Sequence, residues 1–110
     1  MIFFKSSLEN DKSVIFEALE NEVSSGKCRL IIDGVKAEIV SINFDETKTY
    51  IFEGLVKSAF NYACLKDCYM GYVSDIRFSD LLKKMGFKNN NGAYYNDIPA
   101  ILQGICCKNK

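Results

Sequence analysis

A chain of 110 residues is the length of one domain, expected here over residues 1–110, and a domain of that size buries about two thirds of its unfolded surface without needing a disulfide or metal to fold. Its composition, 48% hydrophobic and 25% charged, is that of a soluble globular protein. The formal net charge is zero but unevenly placed: residues 1–55 hold six Lys/Arg against ten Asp/Glu and residues 56–110 hold eight against four, too weak an asymmetry for a dedicated nucleic-acid binder.

The chain opens on Met1-Ile2-Phe3-Phe4, apolar but followed at once by Lys5, so it is too short for a signal h-region or a membrane span and reads as a short strand. Over Asp11–Ser25, Val14, Ile15, Ala18, Leu19 and Val23 recur at three and four residues; the spacing predicts a helix, capped by Asn10 or Asp11 and ended by Gly26. The stretch from Cys28 to Val56 is the organising element and predicts an antiparallel meander. Cys28–Ile32 is a strand, Asp33-Gly34 signals a type I′ turn, and Val35–Phe44 is the second strand. Its apolar phase flips: Val35, Ala37 and Ile39 share one face, whereas Val40, Ile42 and Phe44 share the other. Because side chains alternate with a period of two, the flip at Ile39–Val40 demands an extra residue or a change of covered face. Asp45-Glu46-Thr47-Lys48 then turns the chain, and the β-branched and aromatic run Thr49–Glu53 predicts the third strand.

Leu55–Lys66 has helical spacing, with Leu55, Ala59 and Ala63 on one ridge and Val56, Phe60, Cys64 and Cys68 on another. Tyr69–Val73 reads equally as an edge strand or a packed loop. Phe78, Leu81, Leu82 and Met85 make the stripe of a short helix that Gly86 ends. Asn89-Asn90-Asn91-Gly92 predicts a second hairpin, and Pro99 suits the first turn of a last helix on the stripe Ile98, Ile101, Leu102, Ile105 and Cys106. The expected fold is therefore α+β: a mainly antiparallel sheet, with the meander over 28–53 and the hairpin near 87–95, and about four helices packed on it.

Chemistry is harder to find. Five cysteines of an odd count, with no histidine, suit a reducing, cytoplasmic setting and buried, unmetallated thiols; Cys64-x3-Cys68 with adjacent Cys106-Cys107 matches zinc spacing poorly. The absence of histidine excludes Cys-His and Ser-His mechanisms. Among carboxylates, Asp33, Glu38, Asp45, Glu46 and Glu53 come from the meander at no diagnostic spacing, and no Gly-rich phosphate loop follows a strand. These readings predict no enzyme and no cofactor.

Six tyrosines and eight phenylalanines exceed what a small core consumes, and tyrosine favours interfaces. The expected function is a small cytoplasmic protein-binding protein, an inhibitor of the phage or mobile-element (anti-CRISPR-like) or immunity type, although no motif resembles a particular family. The alternative is a nucleic-acid-binding module using the basic C-terminal half. Either partner, protein first and nucleic acid second, with no membrane, would meet a surface made by Lys83, Lys84, Lys88, Asn90, Tyr94 and Tyr95.

Overall fold

A computed structural model describes residues 2–102. Seven strands, β1 (Ile2–Leu8), β2 (Ser13–Glu20), β3 (Val23–Asp33), β4 (Lys36–Phe44), β5 (Met70–Val73), β6 (Lys88–Asn90) and β7 (Ala93–Asp97), form one sheet in the order β1-β2-β3-β4-β5-β7-β6. All neighbours run antiparallel except β4 and β5, which run parallel because helix α1 (Thr49–Leu65) crosses between them. A 3-10 turn (Ile76–Phe78) leads into α2 (Ser79–Lys84), and α3 (Ile98–Ile101) follows β7. The described residues thus hold an α+β fold with three α-helices. Gly104, Ile105 and Cys106 of the predicted last helix, and the Cys106-Cys107 pair, lie outside them.

The meander is real but sits earlier than the sequence implied, over β2, β3 and β4. The predicted helix at Asp11–Ser25 is instead the β2–β3 hairpin, closed by Asn21 and Glu22 at φ 50° and 70°. Val14, Phe16 and Ala18 alternate into the core while Ile15 and Leu19 lie half-buried on the other face, so a strand apolar on both faces mimics helical spacing. The predicted third strand, Thr49–Glu53, is the opening of α1. Its buried stripe begins at Ile51 and Phe52 and runs through Leu55, Val56, Ala59, Phe60, Ala63 and Cys64, so packing overrides the strand propensity of its first residues. Tyr69–Val73 contains β5, which lies inside the sheet between β4 and β7 and is no edge.

Two turns follow their chemistry. Asn91 and Gly92 both have positive φ, 55° and 86°, as a type I′ hairpin between β6 and β7 requires. At the β3–β4 turn the corner residues are Gly34 and Val35, one position later than expected, and Gly34 at φ 63° takes the first corner as in a type II′ turn.

The core lies between the sheet and the helices, among Phe16, Leu30, Ile39, Ile42, Phe52 and Phe60, all buried. Gly71 keeps α1 and α3 against β5, since a Cβ there would stand 2.8 Å from both Phe60 Cε1 and Ile101 Cδ1. Cys28 and Cys68 are buried free thiols, and burial pushes Cys28 up to about 12. Cys64 is disulfide-bonded, against the expectation that every cysteine is reduced. No helix among the described residues is long and apolar enough to cross a membrane.

Candidate active site at the β4–β5 split

The phase flip at Ile39–Val40 is a β-bulge. Arg29 pairs with Ser41 and Leu30 with Ile39, which leaves Val40 without a partner on β3. At the same place β4 parts from β5: the parallel pairing runs Lys36↔Met70 to Ile39↔Val73 and ends with Ser74 N donating to Ile39 O at 3.2 Å. From Val40 to Phe44, β4 keeps β3 on one side and has no strand on the other, so its edge parts from β5.

Three groups of side chains surround this opening. On the face opposite the helices, register sets Glu38, Tyr72 and Tyr95 in a row across β4, β5 and β7, all half-buried, with the tyrosine rings stacked at 6.2 Å. Lys36 Nζ lies 5.9 Å from the Tyr72 ring centre, showing that this aromatic surface accepts an ammonium. Inside the opening, Arg77 Nη2 donates to Ile42 O at 2.9 Å and to Asp75 Oδ2 at 2.6 Å. The Asp75 carboxyl is held below the ordinary range chiefly by Arg77, with the Ile42 amide adding a smaller pull. Phe78 follows directly and stacks on Phe44 and Phe52 at 5.0 and 5.5 Å.

The third group lies on the helix side. A groove of about 350 Å³ separates the first turns of α1 from α2, lined by Thr49, Tyr50, Phe52, Glu53, Leu81, Lys84 and Met85. Beside it Glu20 accepts from Lys48 Nζ at 2.7 Å, Tyr50 Oη at 2.8 Å and Ser25 Oγ at 2.8 Å. Those donors, Lys48 foremost, lower the Glu20 carboxyl to about 2, and Glu20 raises Lys48 and Tyr50 in return. Within the β4–α1 turn, Thr47 N and Oγ1 donate to Asp45 Oδ1, Lys48 N donates to Asp45 O, and Ile51 N donates to Lys48 O.

Of the residues expected to form a partner surface, Lys83, Lys84, Lys88 and Asn90 are exposed, and Lys84 lines the groove. Tyr94 is buried, 4% exposed, so it cannot be a surface anchor; it pairs with Val73 on the core face, and Tyr95 points the other way onto Tyr72. The sequence reading missed Asp75, Arg77 and the backbone of Ile42, and it placed Glu38 only among unpaired carboxylates. One signal did point here, the phase flip, because a bulge beside a strand end is where a sheet re-aims its groups.

No family model matches this sequence, and no curated protein matches it. Solved structures do match. The ribosomal-protein-S18-alanine N-acetyltransferase of Escherichia coli superposes with a TM-score of 0.73 at 10% identity, over 89% of this chain and 94% of that one. An acetyltransferase of the GNAT family from Staphylococcus aureus Mu50 gives 0.66 at 17% identity, over 78% and 68%. The PaiA N-acetyltransferase of Thermoplasma acidophilum, in complex with coenzyme A, gives 0.65 at 18%, over 76% and 58%.

The fold is GNAT-like. These matches overturn the expectation of an anti-CRISPR-like or immunity-type inhibitor, and that of a nucleic-acid-binding module, because the neighbours are acetyltransferases. They equally overturn the expectation of no enzyme. That error came from searching for linear motifs, whereas this scaffold places its groups through a bulge and a strand split.

Proposed function

We propose that the chain is an N-acyltransferase that moves an acyl group from a thioester donor to an amine at the β4–β5 split. The observation that carries this reading is the parallel pair that separates at a bulge within a GNAT-like sheet, because a separated strand edge receives an extended, amide-bearing arm by strand addition. The donor arm would run along Val40–Phe44, and the amine would approach from the face of Glu38, Tyr72 and Tyr95.

An amine attacks only when neutral, and a chain without histidine must find another base. Glu38 is the carboxylate that register sets one residue before the split on the open face, so it takes the proton. The nitrogen attacks the thioester carbonyl carbon, the C–N bond forms, the C–S bond breaks, and the proton lost by nitrogen passes through Glu38 to the departing thiolate. Tyr72 and Tyr95 offer stacked rings to a cationic or aromatic acceptor.

The fit to coenzyme A is partial. The strand edge suits its amide arm, and Lys84 is the cation lining the groove. Its phosphates find a poor seat at the start of α1, where a helix N-terminus would ordinarily attract them: Asp45 and Glu46 bring negative charge, and Lys48 is held by Glu20.

The test is acetyl-coenzyme A with a panel of amines (peptide N-termini, polyamines, amino sugars), following thiol release and product mass. Transfer is expected, and Glu38→Gln should slow it 100-fold or more, about the worth of a general base, with donor affinity unchanged. Neither thiol release above background nor a mass shift on any amine would refute the reading.

A further inference from the structure

The β4 edge that the proposed donor arm would need is already taken by the chain itself. Ile42, beyond the bulge, turns its C=O into the split, where Arg77 Nη2 donates to it at 2.9 Å, and the Asp75 carboxylate that holds Arg77 stands beside the Ile42 N–H. The pair is braced by Arg77 Nε to Asp75 Oδ1 at 2.9 Å and Arg77 N to the same oxygen at 3.2 Å. It is anchored behind by the guanidinium 5.0 Å from the Phe78 ring centre, with Phe78 buried against Phe44 and Phe52. The guanidinium thus copies the backbone donor of a missing strand residue, with the carboxylate that braces it on the amide side.

We infer that Asp75 and Arg77 form a latch occupying the donor-arm subsite on β4, so that a thioester's amide arm binds only as Arg77 swings away from Ile42. This rests on the acyltransferase reading of the split. The side chains differ in how easily they leave: Arg77 is 57% exposed and Asp75 11%, so the guanidinium is the moving part and Asp75 the fixed post. Replacing Arg77 removes the donor to Ile42 O while leaving Asp75 beside the N–H, which turns the closed edge into a half-open one. Access to the donor site is thereby set by a residue that touches no acceptor.

Pantetheine is the probe, since it carries the two amides and the thiol but no phosphate, and so reports on the β4 edge separately from the acidic β4–α1 turn. Calorimetric titration of the parent, Arg77→Ala and Arg77→Lys should show the Ala variant binding at least ten-fold tighter than the parent, with Lys, which keeps charge but loses the fork, between them. In the free parent the Ile42 amide should be protected from hydrogen exchange by Asp75, and it should remain so in Arg77→Ala. Equal or weaker binding by both variants, with the parent itself binding pantetheine, overturns the latch and leaves the acyltransferase reading standing. No binding by any of the three, with the Ile42 amide still protected, overturns the latch along with the donor site proposed on β4. An Ile42 amide exchanging as fast as an open strand edge in the parent also overturns it. Unfolding midpoints of the three proteins, expected to agree closely because Arg77 is a surface residue, separate a binding effect from a misfolded variant.

Discussion

The two halves of β4 are built from the same kind of residue and yet do different work. Lys36–Ile39 is held on both sides, by β3 and by β5, and its inward side chains Ala37 and Ile39 are fully buried under α1. Val40–Phe44 is held by β3 alone, and its free side is closed by Asp75, Arg77 and Phe78. A single unpaired residue, Val40, divides the two. Stability is therefore concentrated before the bulge and the strand-free edge lies after it, which is how a small domain keeps an open strand without losing its sheet.

The sharpest way to break this comparison is to remove the divider. Deleting Val40 leaves Leu30 opposite Ile39, Arg29 opposite Ser41 and Cys28 opposite Ile42, so β4 becomes a regular strand with Ile42 still on the core face, and what is lost is the irregularity at which β4 parts from β5. The expected outcome is a chain that keeps a cooperative urea transition by circular dichroism but loses pantetheine binding at the straightened edge. A folded deletion variant that binds pantetheine like the parent would show that the bulge is incidental.

Cavity-forming variants come next. Ile39→Ala, before the bulge and fully buried, should cost about 2–5 kcal/mol in urea unfolding. Phe44→Ala, after the bulge and half-buried, should cost less despite removing a larger side chain. Equal costs would mean that the two halves are equally consolidated and that the split is only a local irregularity.

The same asymmetry explains what could be read in advance. Strand β4 and its bulge were visible because alternation is strict where one face is buried, so a change of phase has only structural explanations. The hairpin tip Asn91-Gly92 was visible because few residues tolerate two successive positive φ angles. Strand β2 was not, since Ile15 and Leu19 make its open face apolar too and the period-two signal vanishes into a helix-like one. The start of α1 was hidden for a different reason: Tyr50, Ile51 and Phe52 favour strands locally, and only the continuation of the stripe to Cys64 shows the helix. The site was least legible of all. Glu38, Tyr72 and Tyr95 meet through strand register, and Asp75 and Arg77 act on the backbone of Ile42, whose identity leaves no mark in a motif.

Hydrogen exchange sharpens the comparison without altering the chain. Amides that point from β4 toward β5 before the bulge should exchange only through global opening, whereas that of Ile42, flanked by a side chain alone, should exchange through a local opening of lower free energy. Slow exchange at Ile42 indistinguishable from that at Ile39 would place the latch among permanent structure.

The smallest expected effect concerns the acidic side of the groove, where Glu20 ties β2 to the first turns of α1 through Lys48 and Tyr50. Those donors, with Ser25, favour the carboxylate, so its pKa falls from an ordinary 4.5 to about 2 in the folded chain. The unfolded chain then binds the proton more readily than the folded one, so acid favours unfolding. The contribution is complete above pH 4.5 and is lost as pH falls from there toward 2. Because the cluster sits at the surface with Tyr50 open to solvent and Lys48 and Glu20 half-buried, water and salt screen much of it, and the change should be modest. Urea midpoints measured across that window should fall less steeply for Glu20→Gln than for the parent, and the difference should shrink at high salt. Parallel profiles would mean that the Glu20 cluster adds nothing to folding, leaving α1 fixed to the sheet by its buried stripe alone.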